Sequence, residues 1–477
     1  MPRPKIQLNA AHRSWLFVAA LLTFAGGADM AACAEGAVGP KNVIILFADG
    51  VAATQWELGR YSARVLRNQS FAATDVVFKD GAFGLLSTNS RDALVTDSAA
   101  AASAMSTGVK VDNFAVSMTP DGKAHRTIME AAKSAGKKIG LVTTAEIYDA
   151  SPAAFSVHAK NRGEAQSIVD QYLAMEPDVL IGGGRDYFLP KSAPGGKRSD
   201  GKDMIAAFEQ KGYRIARDTR ELENADGAKL LGLLADEDMA FEIDRDPAKE
   251  PSTAQMARAA LRVLSTASPN GFVLFVENEN TDTAGHYNDA AGVMRALWAF
   301  DEALKVALDF RSKAPNDTLI IVTGDHETGG LSATYARRSA SSDARLYAGI
   351  ANLQMLERIT ISFGAAAKAL GPKPSSEALA KLVAQHFPGF QLDADLREAI
   401  MNQNQLDRNF SYATQNALGR MVARQTGFYW GTAGHTTEPV AVGAIGPGAE
   451  LFKGYQDNTD FGRNLHRLIS APAGPPQ

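Results

Sequence analysis

The chain contains almost no cysteine: Cys33 is the only one among its 477 residues. A lone cysteine cannot form a disulfide within the chain, so the sequence excludes the small disulfide-stapled folds of secreted proteins. The fold must instead be stabilised by a hydrophobic core. With 45% hydrophobic and 21% charged residues, the chain is long and apolar enough to bury a large one.

The chain also lacks a large excess of either charge. Its formal net charge is -4 and its pI is about 6.1. Because a nucleic-acid-binding protein needs a concentrated basic face, we expect no nucleic-acid-binding surface. The classes that remain are soluble globular enzymes and binding proteins.

The N-terminus lacks an apolar run long enough to cross a membrane. Trp15–Ala25 is well short of the ~20 apolar residues that a spanning helix needs, so no transmembrane segment is predicted. Three basic residues precede this run, and an Ala-Cys-Ala sequence follows it. This order predicts an export signal over residues 1–34 and a periplasmic or secreted protein. Attachment of a lipid anchor to Cys33 is the second-ranked alternative.

Short apolar runs rich in β-branched residues alternate with longer stretches of helical spacing. Runs of this kind are typical of strands that are buried on both faces of a sheet. They are Asn42–Ala48, Lys138–Thr144, Asp178–Ile181, Gly271–Val276, Thr318–Thr323 and Val440–Ile445. Their alternation with helices predicts an α/β fold with a doubly wound, mostly parallel central sheet flanked by helices.

The pattern changes between residues 337 and 420. This segment is rich in Ala, Gln and Leu, has no run typical of a buried strand, and shows helical spacing with several breaks. We therefore expect a helical insertion, 337–420, near the C-terminal third of the chain. The α/β core would then consist of residues 35–336 and 421–477. The expected role of the insertion is a lid or an oligomer contact beside the site.

Candidate catalytic side chains follow the predicted strands at the points where these strands end. They are Asp49, Asp149, Ser151, Glu277, Asp282, His286, Asp325 and His326. The carboxyl ends of strands in open α/β sheets are where ligands bind. Any one of these residues could be a helix cap or a solvated loop charge, but that does not explain their recurrence at nearly every strand end. Mixed histidine and carboxylate ligands suit zinc, and all-oxygen sets suit magnesium.

One serine stands directly before a run of four alanines. Ser98 precedes Ala99–Ala102, a strong helix former, so it is predicted at or just inside a helix N-terminus. A serine there can simply cap the helix. It can also be a nucleophile, because a helix N-terminus favours a phosphate anion. The position alone does not decide between these interpretations.

Seven motifs, read together, resemble the alkaline phosphatase family. They occur in that family's order and span roughly Lys41 to the end of the chain, apart from the insertion. The motifs are KNVIILFADG, VTDSAAAASAMSTGVK, EIYDASPAAFSVHAKNR, VLIGGGRDYF, FVENENTDTAGH, IIVTGDHETGG and GTAGHT. The resemblance implies an enzyme that hydrolyses small-molecule phosphate monoesters, with two Zn²⁺ and one Mg²⁺ as cofactors.

The resemblance also implies a role for each matching residue. Ser98 matches the nucleophile that becomes phosphorylated, and Arg162 matches the arginine that clamps phosphate, since a guanidinium fork suits two phosphate oxygens. The first zinc site matches Asp282, His286 and His435. The second zinc site matches Asp325, His326, Asp49 and Ser98, and the magnesium site matches Asp49, Glu277 and Ser151. A homodimer is left open.

Other activities of the same superfamily are the main competing hypotheses. A sulfatase needs a modified Cys or Ser in a C/S-x-P-x-R context, and the sequence supplies none. Glu277 and Ser151, as parts of a third metal site, argue against a diesterase. A non-catalytic protein that binds phosphate or stores metal would leave Ser98 and Arg162 unexplained as a pair.

Two positions depart from the family pattern. Thr283 stands where relatives carry Lys or an aromatic residue that tunes the contact with phosphate, so the phosphate affinity is left open. Glu279 stands where a small residue is common, and we expect it to be a spectator.

Overall fold

The structure, a computed structural model, describes residues 39–266, 268–337 and 343–471. The predicted export segment, 1–34, and Cys33 lie outside the described residues. Among the residues that are described, no helix is long and apolar enough to cross a membrane.

The strands are numbered in chain order. They are β1 Asn42–Ala48, β2 Ala82–Ser87, β3 Lys138–Glu146, β4 Val179–Gly183, β5 Arg214–Ala216, β6 Leu230–Leu233, β7 Phe272–Asn278, β8 Thr318–Thr323, β9 Glu327–Thr328, β10 Leu331–Ala333, β11 Tyr335–Arg337, β12 Arg345–Tyr347, β13 Phe428–Trp430, β14 His435–Thr436, β15 Val440–Ile445 and β16 Gly454–Asp457.

The helices are numbered in the same way. They are α1 Ala53–Leu66, α2 Ser98–Thr107, α3 Ile128–Ser134, α4 Ala150–Ala154, α5 Ala165–Met175, α6 Met204–Gln210, α7 Thr219–Glu223, α8 Thr253–Ser265, α9 Asn280–His286, α10 Ala290–Ser312, α11 Ile350–Glu357, α12 Phe363–Leu370, α13 Ser376–His386, α14 Ala394–Asn402, α15 Ala413–Thr426 and α16 Asn458–Ser470. Shorter helical turns lie at Ala73–Phe78, Arg185–Phe188 and Ala449–Phe452.

The centre of the fold is a ten-stranded sheet in the order β16-β2-β15-β8-β1-β7-β3-β4-β6-β5. Within the described residues, β15 is antiparallel to both of its neighbours, and the other pairs in this sheet are parallel. Parallel pairing of this extent requires crossover connections, which place helices on both faces of a sheet. The predicted α/β fold with a mostly parallel sheet is confirmed.

The central strand β1 shows why the sheet is buried on both sides. All seven of its residues are buried. Ile44, Leu46 and Ala48 belong to one hydrophobic cluster, whereas Val43, Ile45 and Phe47 belong to another. Because successive side chains of a strand point to opposite faces, the apolar run contributes to two cores at once. Each large side chain buried in this way stabilises the fold by roughly 2 kcal/mol.

The register of the central strands brings their carboxyl ends to one level. Phe47 of β1 pairs with Glu277 of β7 on one side and with Thr323 of β8 on the other. The residues that follow these positions therefore emerge side by side at the same edge of the sheet. This edge is where the predicted acids and histidines lie.

The described part of the segment 337–420 folds mainly into helices. It contains the last residue of β11, then β12, the helices α11 to α14 and the first part of α15. Phe363 of α12 and Phe387, at the end of α13, are fully buried, with ring centroids 5.6 Å apart. These side chains belong to the same hydrophobic cluster as one face of the central sheet, so the segment packs on the core.

Candidate metal centre and nucleophile

Five chain segments meet at the carboxyl edge of the sheet. Asp49 follows β1, and Glu277 lies at the end of β7. The helix α9 begins just after β7 and carries Asp282 and His286 on successive turns. The loop after β8 carries Asp325 and His326, and β14 contributes His435 through its antiparallel pairing with β9.

Asp282, His286 and His435 form the first group of possible metal ligands. The Nε2 atom of His286 lies 3.0 Å from Oδ2 of Asp282 and 3.2 Å from Nε2 of His435. The Nδ1 atom of His286 lies 2.6 Å from the carbonyl of Ala433, and that of His435 lies 2.8 Å from the carbonyl of Thr96. Since carbonyl oxygens only accept, each Nδ1 donates its proton there. The two Nε2 atoms are then free to bind one cation, as in metal-binding histidines.

A second group consists of Asp49, Asp282 and His326. The Nε2 atom of His326 lies 3.6 Å from Oδ1 of Asp49 and 3.2 Å from Oδ2 of Asp325. The hydroxyl of Ser98 lies 3.1 Å from the same Nε2 atom. Asp282 therefore belongs to both groups, and Ser98 lies next to the second group.

A third cluster of side chains presents only oxygen atoms. The hydroxyl of Ser151 donates to Oδ2 of Asp49 across 3.3 Å, and Thr143 donates to Oε2 of Glu277 across 2.5 Å. Ser151, Asp49 and Glu277 are all buried. An all-oxygen set of this kind suits a hard cation such as Mg²⁺.

The carboxylates at the site lack hydrogen-bond partners for some of their oxygens. Among the described residues, Oδ1 of Asp49, Oε1 of Glu277 and Oδ2 of Asp325 are buried without a hydrogen-bond partner, although Oδ2 of Asp325 lies 3.2 Å from Nε2 of His326. A buried, unpaired carboxylate oxygen is costly unless a cation or a proton compensates it. The unpaired oxygens and the facing histidine nitrogens thus fit divalent metal ions at these positions.

Burial also shifts the pKa values of the carboxyl groups at the site. Burial, together with the charges of Asp325 and Asp282, raises the pKa of Asp49 well above its usual value. Burial also raises the pKa of Glu277 to about 8 and that of Asp325 to about 7. Burial would raise the pKa of Asp282 too, but His286 outweighs it and holds that pKa below its usual range. So many acids in one buried volume need positive charge to stay ionised.

Ser98 is the first residue of α2. Asp97 is the N-cap of this helix, and its side chain accepts a hydrogen bond of 2.9 Å from the N–H of Ala100. Ser98 therefore does not cap the helix itself. Ser98 is 4% exposed, and its hydroxyl faces His326 instead. The positive end of the helix dipole lies at the same place and favours an anion there.

Arg162 is held by two acids, one of which directly precedes Ser98 in the chain. Its Nη2 atom donates to Oδ1 of Asp149 across 2.8 Å, and its Nη1 atom donates to Oδ2 of Asp97 across 3.4 Å. Because Asp97 directly precedes Ser98, this pair fixes the guanidinium close to the serine. The two carboxylates orient the fork that phosphate oxygens would require.

Several supporting residues are not predicted from the sequence. The hydroxyl of Thr328 donates to Oδ1 of Asp282 and lies 3.2 Å from Nδ1 of His326, so it links the two groups of ligands. Asn416 of α15 donates to the carbonyl of His286 across 2.9 Å and to the side chain of Asn288 across 2.8 Å. Thr328 could have been suspected from its place two residues after His326, but Asn416 has no such signal.

The two positions that depart from the family pattern contact each other. The hydroxyl of Thr283 donates to one carboxylate oxygen of Glu279. Glu279 is 8% exposed, and its N–H donates to the hydroxyl of Thr144 across 2.9 Å. Glu279 thus lies buried at the start of α9, one turn before Asp282.

Comparisons with known proteins agree with this architecture. The family model described as Alkaline phosphatase matches residues 40–470. The chain is 32% identical to the repressible alkaline phosphatase of Saccharomyces cerevisiae, covering 90% of this chain and 81% of the relative. It is also 32% identical to alkaline phosphatase 3 of Bacillus subtilis, covering 90% of this chain and 89% of the relative.

A solved structure shows the same fold. The crystal structure of Thermus thermophilus alkaline phosphatase superposes with a TM-score of 0.82 at 29% identity, covering 96% of this chain and 97% of that one. The family match includes every strand end that carries a site residue. The chain therefore belongs to the alkaline phosphatase family and is a phosphoric monoester hydrolase.

Proposed function

We propose that this chain is an exported alkaline phosphatase that hydrolyses phosphate monoesters through a phosphoserine formed on Ser98. The observation that carries the proposal is the position of the serine. Its hydroxyl lies at the N-terminus of α2, 3.1 Å from a histidine of a candidate metal site, and beside the guanidinium of Arg162. A nucleophile, an anion-binding helix end and a cationic fork are thereby brought together.

The donor atoms at the site fit three metal ions. Asp282, His286 and His435 would hold one Zn²⁺, and Asp49, Asp325 and His326 would hold another together with Ser98. Asp49, Glu277 and Ser151 would hold Mg²⁺. Bound divalent cations supply charge neutralisation at the phosphoryl oxygens and lower the pKa of a nearby hydroxyl or water. The residues support this loading through their unpaired oxygens and their mixture of nitrogen and oxygen donors.

In the proposed reaction, the oxygen of Ser98 attacks phosphorus and its bond to phosphorus forms as the bond to the alcohol oxygen breaks. The serine proton passes to solvent water, and the departing alkoxide takes up a proton from solvent water to leave as the alcohol. Arg162 holds two of the phosphoryl oxygens and offsets their charge. Water then attacks the phosphoserine, which releases inorganic phosphate and restores the hydroxyl of Ser98.

One assay tests the activity and separates it from the competing hypotheses. Purified mature protein is incubated with p-nitrophenyl phosphate, with bis(p-nitrophenyl) phosphate and with p-nitrophenyl sulfate. Each assay is repeated after chelation and again after zinc and magnesium are restored. We expect the monoester to be preferred, activity to disappear on chelation, and the metals to restore it. A preference for the diester, or activity that is indifferent to chelation, would overturn the proposal.

Export is tested on the full chain. Expressed with its own N-terminus in a bacterial host, the protein should be recovered outside the cytoplasm, with residues 1–34 removed. N-terminal sequencing of the recovered protein checks the cleavage. A mature protein that begins at a lipid-modified Cys33 would support the lipid-anchored alternative instead. Recovery of the uncleaved chain from the cytoplasm would contradict export.

A further inference from the structure

Glu327 is a buried acid that the proposed metal sites do not use. It directly follows Asp325 and His326 in the chain, yet it belongs to neither group of possible metal ligands among the described residues. The residue is 0% exposed. A carboxylate taken out of water is costly unless hydrogen bonds or an opposite charge compensate it. The partners of this side chain therefore show what it stabilises.

Five hydrogen bonds satisfy the carboxylate of Glu327. Its Oε1 atom accepts from Nε2 of Gln55 across 2.5 Å and from the N–H groups of Gly330 and Leu331 across 2.9 and 3.2 Å. Its Oε2 atom accepts from the N–H of Gly330 across 3.0 Å and from the hydroxyl of Thr436 across 2.7 Å. The donors belong to α1, to the chain that follows β9 and to β14. One side chain thus joins three segments of the fold.

The bond to Thr436 supports a very short strand pair. The strands β9 and β14 pair through only two residues each, with Thr436 opposite Glu327 and His435 opposite Thr328. A pairing of this length is not stable by itself. The rings of His326 and His435, one from each side of the pairing, stack with their centroids 3.6 Å apart. A shift of β14 against β9 would therefore change the distance between two proposed zinc ligands.

The bond to Gln55 connects the same strand to a third proposed ligand. Gln55 is buried, and its Nε2 atom also donates to the carbonyl of Thr328 across 3.3 Å. The N–H of Thr328 in turn donates to the carbonyl of Gly50, the residue after Asp49, across 3.1 Å. The strand β9 is thus joined to the loop that carries Asp49 as well as to the strand that carries His435.

We propose that Glu327 is a positioning residue for the metal centre. Its carboxylate holds α1, β9 and β14 in the arrangement that fixes His326 against His435, and it thereby increases the affinity of the chain for zinc. The inference rests on the proposed function, because zinc at these histidines is part of that function. The competing interpretation is a buried acid that stabilises the turn after β9 and has no effect on the metal sites.

The test measures zinc binding rather than turnover alone. Metal-free protein is titrated with zinc, and Co²⁺ is bound in place of zinc so that its visible absorption reports the arrangement of the ligands. Glu327→Ala should weaken zinc binding by roughly 10- to 100-fold, as is typical when a group that orients metal ligands is lost. The cobalt absorption should change as well. A loss of turn stability alone would lower the melting temperature and leave both readouts unchanged.

Glu327→Gln is the conservative variant. Glutamine keeps the shape of the side chain and one oxygen that accepts from the N–H groups of Gly330 and Leu331. The hydroxyl of Thr436 can turn to accept from the new amide, since a hydroxyl both donates and accepts. We therefore expect Glu327→Gln to recover most of the zinc affinity and the wild-type cobalt spectrum.

A second variant and a matched control make the result specific. Thr436→Val removes the hydroxyl that joins Glu327 to β14, and it should weaken zinc binding by a smaller factor than Glu327→Ala. Thr318→Val is the control. Thr318 is also buried, and its hydroxyl accepts from Nδ2 of Asn42 across 3.2 Å, but it is the first residue of β8 and lies away from the carboxyl edge. Thr318→Val should lower the melting temperature without changing the zinc affinity or the cobalt spectrum.

The outcomes separate the positioning role from the metal centre itself. Wild-type zinc affinity and cobalt absorption in Glu327→Ala would overturn the role of Glu327 and leave the proposed function intact. If Glu327→Ala does not fold, Thr436→Val decides, and wild-type values for both readouts in that variant would overturn the role. Failure of the wild-type protein to bind zinc would instead count against the proposed function, and the role of Glu327 would be overturned with it.

Discussion

The hydroxyl of Ser98 lies 3.1 Å from Nε2 of His326. In the proposed enzyme this nitrogen is a zinc ligand, so the contact places the hydroxyl next to the cation that would favour its alkoxide form. His326 is fully buried and its Nδ1 atom is 3.2 Å from the hydroxyl of Thr328, which fixes the ring. The contact supports the proposed role of Ser98 as the nucleophile.

The first prediction follows from this contact. Ser98→Ala should reduce kcat/KM for a phosphomonoester by roughly a thousandfold or more, because the attacking atom is lost. Metal content should stay close to that of the wild type, since Asp49, Asp325 and His326 are still present. Mass spectrometry of the metal-loaded protein measures the content, and a collapse of bound zinc would show that Ser98 is chiefly structural.

Arg162 should contribute more to phosphate affinity than to the chemical step. In Arg162→Ala, the inhibition constant for inorganic phosphate should rise roughly 10- to 100-fold, as expected for the loss of charged hydrogen bonds. The fall in kcat should be smaller. Arg162→Lys is the control, since it keeps the charge but not the fork, and it should recover only part of the affinity. Unchanged product inhibition in Arg162→Ala would contradict the assigned role.

Gly50 lies where a side chain would disturb a proposed metal ligand. Its φ is +71°, and an added Cβ would lie 2.7 Å from Oδ1 of Asp282 and 2.8 Å from the hydroxyl of Thr328. Gly50→Ala should therefore displace Asp282 and lower the affinity for zinc. The left-handed backbone conformation of the new alanine should also lower the free energy of unfolding by roughly 1–2 kcal/mol.

The control for this variant is Gly212→Ala. Gly212 has a φ of +83°, but an added Cβ would meet nothing within 4 Å. Gly212→Ala should therefore lose stability through its backbone conformation alone, with a reduced melting temperature and a normal zinc content. Titration of both proteins with zinc measures the difference, and equal zinc affinities would mean that the collision at Gly50 is relieved without moving Asp282.

Metal removal should make stability depend on pH. Burial raises the pKa of Glu277 to about 8 and that of Asp325 to about 7 in the metal-free fold. The folded state then binds more protons than the unfolded state at neutral pH, so the free energy of unfolding falls as the pH rises. The lowered pKa values of His326 and His435 act in the opposite direction below about pH 6.5, so the melting temperature of the chelated protein should decrease between about pH 7 and pH 9.

The metal-loaded protein provides the comparison. Its ligands are already ionised and paired with cations, so its melting temperature should change much less over the same range. Differential scanning calorimetry on both forms measures the effect. A chelated protein that gains stability as the pH rises would show that the acids are compensated by something other than metal or protons.

The centre of the sheet could be predicted from the sequence, but its margins could not. The six predicted strands correspond to β15, β8, β1, β7, β3 and β4, which are consecutive in the sheet. The strands that were not predicted are the two at each margin: β16, β2, β6 and β5. In β2 and β16 the side chains are partly exposed, so these strands lack the continuous apolar pattern that marks a strand buried on both faces.

Some residues of the site could be placed from the sequence pattern, and others could not. Asp49, Glu277 and Asp325 stand at the ends of predicted strands, so a parallel sheet alone implies that they come together. His435 is different, because its place depends on a two-residue pairing of β14 with β9 that propensity does not predict. Its assignment from the sequence depended on the resemblance to a family. The network around Thr328 depends on side-chain geometry and needed the structure.

The contact between Asn416 and His286 constrains how this enzyme could be re-engineered. Asn416 lies in the segment predicted as an insertion, yet its amide holds the carbonyl of a proposed zinc ligand. The segment therefore cannot be exchanged for that of a homologue without regard to this contact. A chimera that receives the corresponding segment of a homologue would retain its metal affinity only if the graft supplies an amide at the same point, whatever its own helices look like.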